Sequence, residues 1–147
     1  MSLRNWLANG WIVEHEPTPE ETSDLLAVVD RDLQDAAVES LSPDWKLGIA
    51  YNGALQLAIL ALAAEGFRPA RVRAHERAIL SLRFTVDLDS ATVDLLDGVR
   101  RKRNISNYER AGTASAREAT EVLAAAQRLR ETVLQWLQEH HPNLRAV

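Results

Sequence analysis

The side chains best suited to chemistry in this chain lie together in residues 100–108. This segment holds four consecutive cations, two amides and a phenol: Arg100, Arg101, Lys102, Arg103, Asn104, Asn107 and Tyr108. A guanidinium group donates paired hydrogen bonds to phosphate oxygens, an amide bonds to a ribose hydroxyl or base edge, and a tyrosine ring stacks on a base. Together with Arg110 just beyond it, the segment predicts a binding site for RNA or a nucleotide.

Helical spacing would divide these residues between two neighbouring faces. On a helix, Arg101, Asn104 and Tyr108 share one face, and Arg103, Asn107 and Arg110 share the adjacent face. In an alternative interpretation, the cations only complement the negative end of the helix dipole, and Tyr108 packs against the last helix.

Composition limits the classes of protein to which the chain can belong. Its 147 residues suit one domain, and the absence of cysteine excludes disulfides and thiolate metal sites and favours a cytoplasmic location. No amino-terminal segment resembles a signal peptide, and the longest apolar run, Ala54 to Ala64, is too short to span a membrane.

The net charge of −4 conceals a separation of charge along the chain. Glu14 to Glu39 holds nine acidic residues and one Arg, whereas Arg68 to Arg83 and Arg100 to Arg110 each hold five cations and one Glu. The acidic whole argues against a general nucleic-acid coat, but local positive charge still attracts an anionic ligand.

The positions of helix-capping and helix-breaking residues predict an all-α protein. Capping residues indicate helix starts at Thr18-Pro19, Ser42-Pro43, Asp89 or Ser90, and Ser115. Helix ends are indicated at Gly66, Gly112 and His140-His141-Pro142. A shorter helix is expected over Val72 to Phe84, and Phe84 to Leu88 is interpreted as a connection. We therefore expect an up-and-down four-helix bundle with an additional short helix and an N-terminal appendage. The predicted regions are residues 1–17 (appendage), 18–141 (bundle) and 142–147 (C-terminal tail). Trp6 and Trp11 of the appendage are expected to dock on the bundle or on a second copy of it.

Outside the main segment, His75 and Tyr51 are secondary candidates. His75 is interpreted as a core or interface histidine four residues before Ile79, with catalysis as the alternative, and Tyr51 as a half-buried packing residue at a bundle edge. Trp45 and Trp136 are also expected to serve packing. We assign no metal and no cofactor, because His140 and His141 lack further ligands nearby in sequence.

In helix order and motif, the chain resembles the HEPN superfamily, small all-α bundles whose hallmark is an Arg followed a few residues later by a His. The likeness covers residues 18–140. Its passages are Ala50-Tyr51-Asn52-Gly53-Ala54, then Gly66-Phe67-Arg68 with Arg73-Ala74-His75, and finally Arg100 to Tyr108.

This resemblance implies metal-independent RNA cleavage in many members. A 2′-hydroxyl attacks the adjacent phosphate, the Arg holds that phosphate, and the His assists proton transfer. Arg103 and Asn104 match the motif Arg and the polar residue after it, but the position of the His falls on Asn107 or Tyr108. Neither is an effective base at neutral pH, because tyrosine has an unperturbed pKa of about 10 and an amide does not titrate usefully.

Three hypotheses follow. In the first, the chain is an RNA-directed HEPN-like module, a weak endoribonuclease of a toxin-antitoxin or stress-response system. Arg103 would then bind the phosphate, Asn107 and Tyr108 would position the 2′-hydroxyl, and the remaining cations would attract the RNA strand. In the second, the same patch of a non-catalytic domain binds nucleotide, RNA or a partner protein. In the third, the cations contact the acidic region of another subunit. The resemblance also implies a homodimer and a nucleotidyltransferase antitoxin partner.

Overall fold

The structure is a computed structural model that describes residues 1–109 and 114–145, and for residues 103–109 it describes the backbone alone. The elements in chain order are α1 (Leu3–Ala8), β1 (Ile12–Glu14), α2 (Pro19–Ala36), α3 (Pro43–Ala64), β2 (Phe67–Pro69), α4 (Ala74–Thr85), α5 (Ser90–Glu109), α6 (Ala116–His140) and a 3-10 turn (Pro142–Leu144). Helices make up most of the described chain, which confirms the prediction of an all-α fold.

Side-chain caps begin three of the long helices where the sequence predicts them. The hydroxyl oxygen of the capping residue accepts a hydrogen bond from a backbone N–H in the first turn, at Thr18 (3.1 Å from Glu21 N), Ser42 (3.3 Å from Trp45 N) and Ser115 (3.0 Å from Glu118 N). Each bond satisfies a donor that the helix itself leaves without a partner.

Helix α3 is the central element, against which α2, α4 and α6 pack. It is apolar on all faces, and its largest buried side chains include Leu57, Leu60 and Leu62. Although the run Ala54 to Ala64 is short, α3 as a whole has 22 residues, enough by length and composition to cross a membrane. Because 72% of its most apolar window is buried inside the protein, α3 has the environment of a core helix.

The packing of α2 against α3 combines a close backbone approach with a buried polar contact. Gly53 permits the approach, since a Cβ atom there would lie 3.2 Å from Cδ2 of Leu33. One residue before Gly53, the Asn52 side-chain amide donates a 2.7 Å hydrogen bond to the buried carboxylate of Asp32, which also accepts one from Arg31. This carboxylate is therefore paired on both oxygens, as a buried charge requires.

The N-terminal segment docks on the same chain and forms a small sheet that the sequence did not predict. Strand β1 pairs antiparallel with β2, Ile12 opposite Pro69 and Val13 opposite Arg68. Trp6 is fully buried in a second small core with Ile12 and Leu62. Strands of three residues are too short to show an alternating pattern, which explains why no periodicity in the sequence indicated them.

Two predicted boundaries are shifted in the structure. The short helix begins at Ala74 and not at Val72, because Arg73 adopts a left-handed conformation (φ 56°) that interrupts helical geometry. It then continues to Thr85, so the connection to α5 comprises residues 86–89 and not Phe84 to Leu88.

The two tryptophans assigned to packing have different environments. Trp136 packs against the core and makes ring contacts with His140 and His141. Trp45 is 69% exposed, so its assignment as a packing residue is wrong. It lies in the first turn of α3, beyond the end of the bundle core, where capping by Ser42 fixes its backbone but leaves the side chain in solvent.

Candidate nucleic-acid interface

Helix α5 carries the predicted site, and its start is fixed by Asp89. Both carboxylate oxygens of Asp89 lie 2.9 Å from the hydroxyl oxygen of Thr92, and one of them accepts a hydrogen bond from the Thr92 backbone N–H at 2.9 Å. These bonds, the backbone one foremost, lower the pKa of Asp89 below its ordinary value. From this start, Val93, Leu96 and Val99 are buried on one side of α5 and set the orientation of the residues that follow.

Asp97 sits one turn before the cationic segment and pairs with two of its members. The Arg100 guanidinium donates to Oδ1 of Asp97 at 2.8 Å, and the Arg100 side chain is only 16% exposed. Arg101 lies 3.8 Å from Oδ2 of the same carboxylate, but its side chain is 66% exposed. Arg100 is therefore held against the protein, whereas Arg101 remains accessible to a ligand.

Lys102 connects α5 to the start of α6. Its ammonium group lies 2.7 Å from Oε1 of Glu118, whose backbone N–H is capped by Ser115. Both side chains are only partly exposed, and the pair links α5 to the first turn of α6. The geometry gives Lys102 a structural contact with α6 in addition to any contact with a ligand.

The remaining members of the predicted site lie outside the described side chains. For Arg103, Asn104, Asn107 and Tyr108 the structure describes the helical backbone of α5, which continues through Glu109. The predicted sharing of faces, Arg101 with Asn104 and Tyr108, and Arg103 with Asn107, rests on this helical backbone. Arg110 lies outside the described residues altogether.

The secondary candidates are placed differently from their predictions. His75 is exposed in the first turn of α4, so it is not a core histidine, and its interpretation as an interface histidine stays a prediction. Ile79, one turn later, is buried where the bundle core begins. Tyr51 is fully buried in the core and not half-buried at an edge, because α3 is enclosed by other helices. Tyr51 is thus a packing residue that is too buried to contact an RNA strand.

Two other imidazoles are engaged away from α5. His15 lies 2.8 Å from a carboxylate oxygen of Glu21, and His141 lies 3.6 Å from Glu65 while its ring contacts Trp136. Neither contact involves a residue of the predicted site.

A shallow groove of about 700 Å³ lies between α1, the segment after β1 and the end of α3. Its charged side chains are mostly carboxylates, those of Glu14, Glu16 and Glu65, with Arg4 as the cation. None of the predicted site residues whose side chains the structure describes lines it, and its charge disfavours a polyanion. Among the described residues, no group of three or more His, Cys, Asp or Glu could hold a metal ion.

A set of contacts that the sequence interpretation did not assign involves Trp11 and the arginines around β2 and α4. The Arg77 guanidinium carbon lies 3.8 Å from the centre of the Trp11 ring, within cation–π distance. The sequence showed the five arginines from Arg68 to Arg83 as a basic region. The approach of this region to Trp11 depends on the β1–β2 pairing, which the sequence did not predict.

No protein-family model matches the chain, and neither a curated protein nor a solved structure matches it. The HEPN resemblance therefore stays a prediction that rests on the residues of this chain.

Proposed function

We propose that this chain is a HEPN-like RNA-directed module that binds single-stranded RNA along the last part of α5 and does not cleave it. The observation that carries the proposal is the continuity of α5 from Ser90 to Glu109. A single helix through this segment aligns Arg103 with Asn107, and Arg101 with Asn104 and Tyr108, along its length.

The cations of the segment divide into two groups in this proposal. Arg100 and Lys102, each paired at close range with a carboxylate, orient the helix. Arg101, which is largely exposed, and Arg103 and Arg110 contact the phosphates. Arg suits this role because its planar fork binds two phosphate oxygens at once.

The proposal is non-catalytic because the segment contains no imidazole. Abstraction of the 2′-hydroxyl proton needs a base whose pKa lies near the working pH, and the candidate positions hold an amide, Asn107, and a phenol, Tyr108. With an unperturbed pKa of about 10, tyrosine is almost wholly protonated at neutral pH. Asn107 and Tyr108 then serve as hydrogen-bonding and stacking groups for the ribose and base.

The experiment measures binding and cleavage of one RNA in the same buffer. A fluorescein-labelled single-stranded RNA is titrated with the protein in EDTA, and anisotropy gives the Kd. Arg103→Ala should weaken binding about tenfold or more, since a hydrogen bond to a charged group contributes about 1.5–3 kcal/mol. Arg128→Ala, which removes an exposed cation from α6, is the matched control and should bind like the wild type.

Product analysis decides between binding and catalysis. Unchanged RNA after prolonged incubation supports the proposal. Fragments ending in 2′,3′-cyclic phosphate that disappear with Arg103→Ala would overturn its non-catalytic part and support the endoribonuclease hypothesis. Equal Kd values for the wild type and Arg103→Ala would overturn the assignment of the site to α5.

A further inference from the structure

A second cationic surface, here called the Trp11–arginine surface, consists of Trp11, Arg68, Arg71, Arg73 and Arg77. Its platform is the Trp11 ring. Arg77 stacks on this ring at 3.8 Å, and the buried Trp6 supports it edge-on with 5.8 Å between ring centres. A guanidinium held over an indole ring has fewer orientations to lose when it binds a ligand.

The sheet holds the other arginines beside this platform. Arg68 lies opposite Val13 in the antiparallel pair, and side chains two residues apart on a strand share a face, which places Arg68 on the side of Trp11. The Ala70 N–H donates to the Trp11 carbonyl at 3.1 Å, so the backbone just before Arg71 is also held close to that of Trp11. Arg68 and Arg71 are both exposed.

The positive charge of this surface is largely uncompensated, unlike that of α5. Arg73 has one carboxylate neighbour, Glu76, at 4.0 Å, which is a long ion pair. Arg68, Arg71 and Arg77 form no ion pair with any side chain that the structure describes. In α5, by contrast, Asp97 and Glu118 lie within 2.8 Å of Arg100 and Lys102. With the Arg73–Glu76 pair as the one described carboxylate contact, a bound anion would reduce the mutual repulsion of these guanidinium groups.

A connection of four residues between two packed helices favours an antiparallel pair, in which the surface lies at the same end of the α4–α5 pair as the proposed RNA site. The two helices pack against each other and are joined by residues 86–89. Helix α4 has 12 residues, so in an antiparallel pair its first residue, Ala74, is level with the twelfth residue of α5, which is Arg101. Packed helix axes are about 8–10 Å apart, a distance that a few nucleotides of an extended strand can cross.

The geometry points to a second RNA contact, in which the Trp11–arginine surface binds the phosphodiester backbone of the strand held by the end of α5. This inference rests on the proposed function. All four cations of the surface are arginines, whose planar forks match phosphate oxygens better than the point charge of lysine does.

A lipid membrane fits the surface less well. Val72, between two of the arginines, is 77% exposed and would be the apolar contact. One buried valine removes little apolar surface from water, and stable membrane attachment takes more apolar area or an acyl chain.

The test uses the double variant Arg68→Glu/Arg71→Glu and a charge-matched control, Arg128→Glu/Arg145→Glu. All four positions are exposed, so the folds should be retained, which thermal melting verifies. The Kd for a labelled single-stranded RNA is measured at several KCl concentrations. The double variant should bind at least tenfold more weakly than the control, and the slope of log K against log salt should fall by about 0.7 for each phosphate that the variant no longer neutralises.

The outcomes separate this inference from the proposed function. If Arg103→Ala weakens binding while the Arg68/Arg71 variant matches its control in Kd and slope, the second contact is overturned and the α5 site stands. The reverse pattern overturns the α5 site and with it the strand shared by two contacts, and it supports RNA binding by the Trp11–arginine surface alone. Binding of poly-glutamate, or of vesicles containing phosphatidylserine, as tightly as RNA would overturn the assignment to a nucleic-acid strand. A milder variant, Arg71→Ala, repeats the test if the double variant fails to fold.

Discussion

Gly98 and Gly53 both lie inside helices but differ in the space available to a side chain. A Cβ atom at Gly98 would meet nothing within 4 Å, whereas one at Gly53 would lie 3.2 Å from Leu33. Gly98→Ala should therefore raise the free energy of unfolding by about 0.5–1 kcal/mol, the cost of glycine in a helix interior. Urea denaturation followed by circular dichroism measures the change.

Gly53→Ala is the matched control for this prediction. It gains the same helical preference but must displace the Leu33 side chain at the α2–α3 contact, so its effect should be less favourable than that of Gly98→Ala. Equal or greater stabilisation by Gly53→Ala would show that the approach of α2 to α3 does not require glycine.

The cap at the start of α5 should make stability depend on pH in acid. The pKa of Asp89 is lowered from its ordinary value of 3.8 by hydrogen bonds from Thr92, so the ionised carboxylate is favoured in the folded state. Its contribution to stability is fully present above the unfolded value and is lost as the pH falls through the lowered folded value. Asp89→Ala should therefore reduce the melting temperature at neutral pH, and the deficit should shrink in strong acid.

Asp89→Asn separates capping from charge, because asparagine also accepts the hydrogen bond and does not titrate. Melting temperatures of the wild type and both variants, measured from about pH 7 down to about pH 2.5, decide the matter. A deficit of Asp89→Ala that stays constant over this range would contradict a role for the ionised carboxylate.

At the scale of elements, the N-terminal segment is joined to the bundle by Trp6. This side chain is fully buried, and its ring lies edge-on to Phe84 of α4 with 5.3 Å between centres. Trp6→Ala should lower the free energy of unfolding by about 3–5 kcal/mol, as for a large aromatic removed from a core.

The exposed Trp45 supplies the control, since Trp45→Ala should change stability by less than about 0.5 kcal/mol. Urea denaturation of both variants gives the comparison. A small effect of Trp6→Ala would mean that residues 1–17 contribute little to the stability of the rest.

Local signals in the sequence predicted the helices well but not the contacts between distant segments. Thr18, Ser42 and Ser115 begin helices in the structure because a cap acts within one turn. The β1–β2 pairing, by contrast, joins residues that lie more than 50 positions apart in the chain, such as Ile12 and Pro69. No periodic pattern could have indicated this pairing.

At the scale of the whole molecule, contacts between residues distant in sequence also determine which cations of residues 100–108 are paired with carboxylates. The sequence showed its charge but not which members are compensated, because Glu118 lies 16 residues from Lys102 and belongs to another helix. Likewise, the sequence showed the positive charge of the arginines from Arg68 to Arg83. It did not show that the fold brings Trp11 against one of them, Arg77. A charge pattern therefore predicted two basic regions, and packing determines which cations remain accessible.

The ion pair between Asp30 of α2 and Arg130 of α6 joins helices whose paired residues are 100 positions apart. The guanidinium Nε lies 2.6 Å from the carboxylate, and this hydrogen bond raises the pKa of Arg130. Both side chains remain partly exposed, so solvent screens the interaction, and a double-mutant cycle with Asp30→Ala and Arg130→Ala should give a coupling of about 0.5–1 kcal/mol. The coupling should fall in 1 M NaCl, where the Debye length is about 3 Å. The Arg117–Glu121 pair within α6, whose Arg is 91% exposed, is the control and should couple more weakly. If both cycles gave the same value, the Asp30–Arg130 pair would hold α2 to α6 no better than a surface pair holds one turn of a helix.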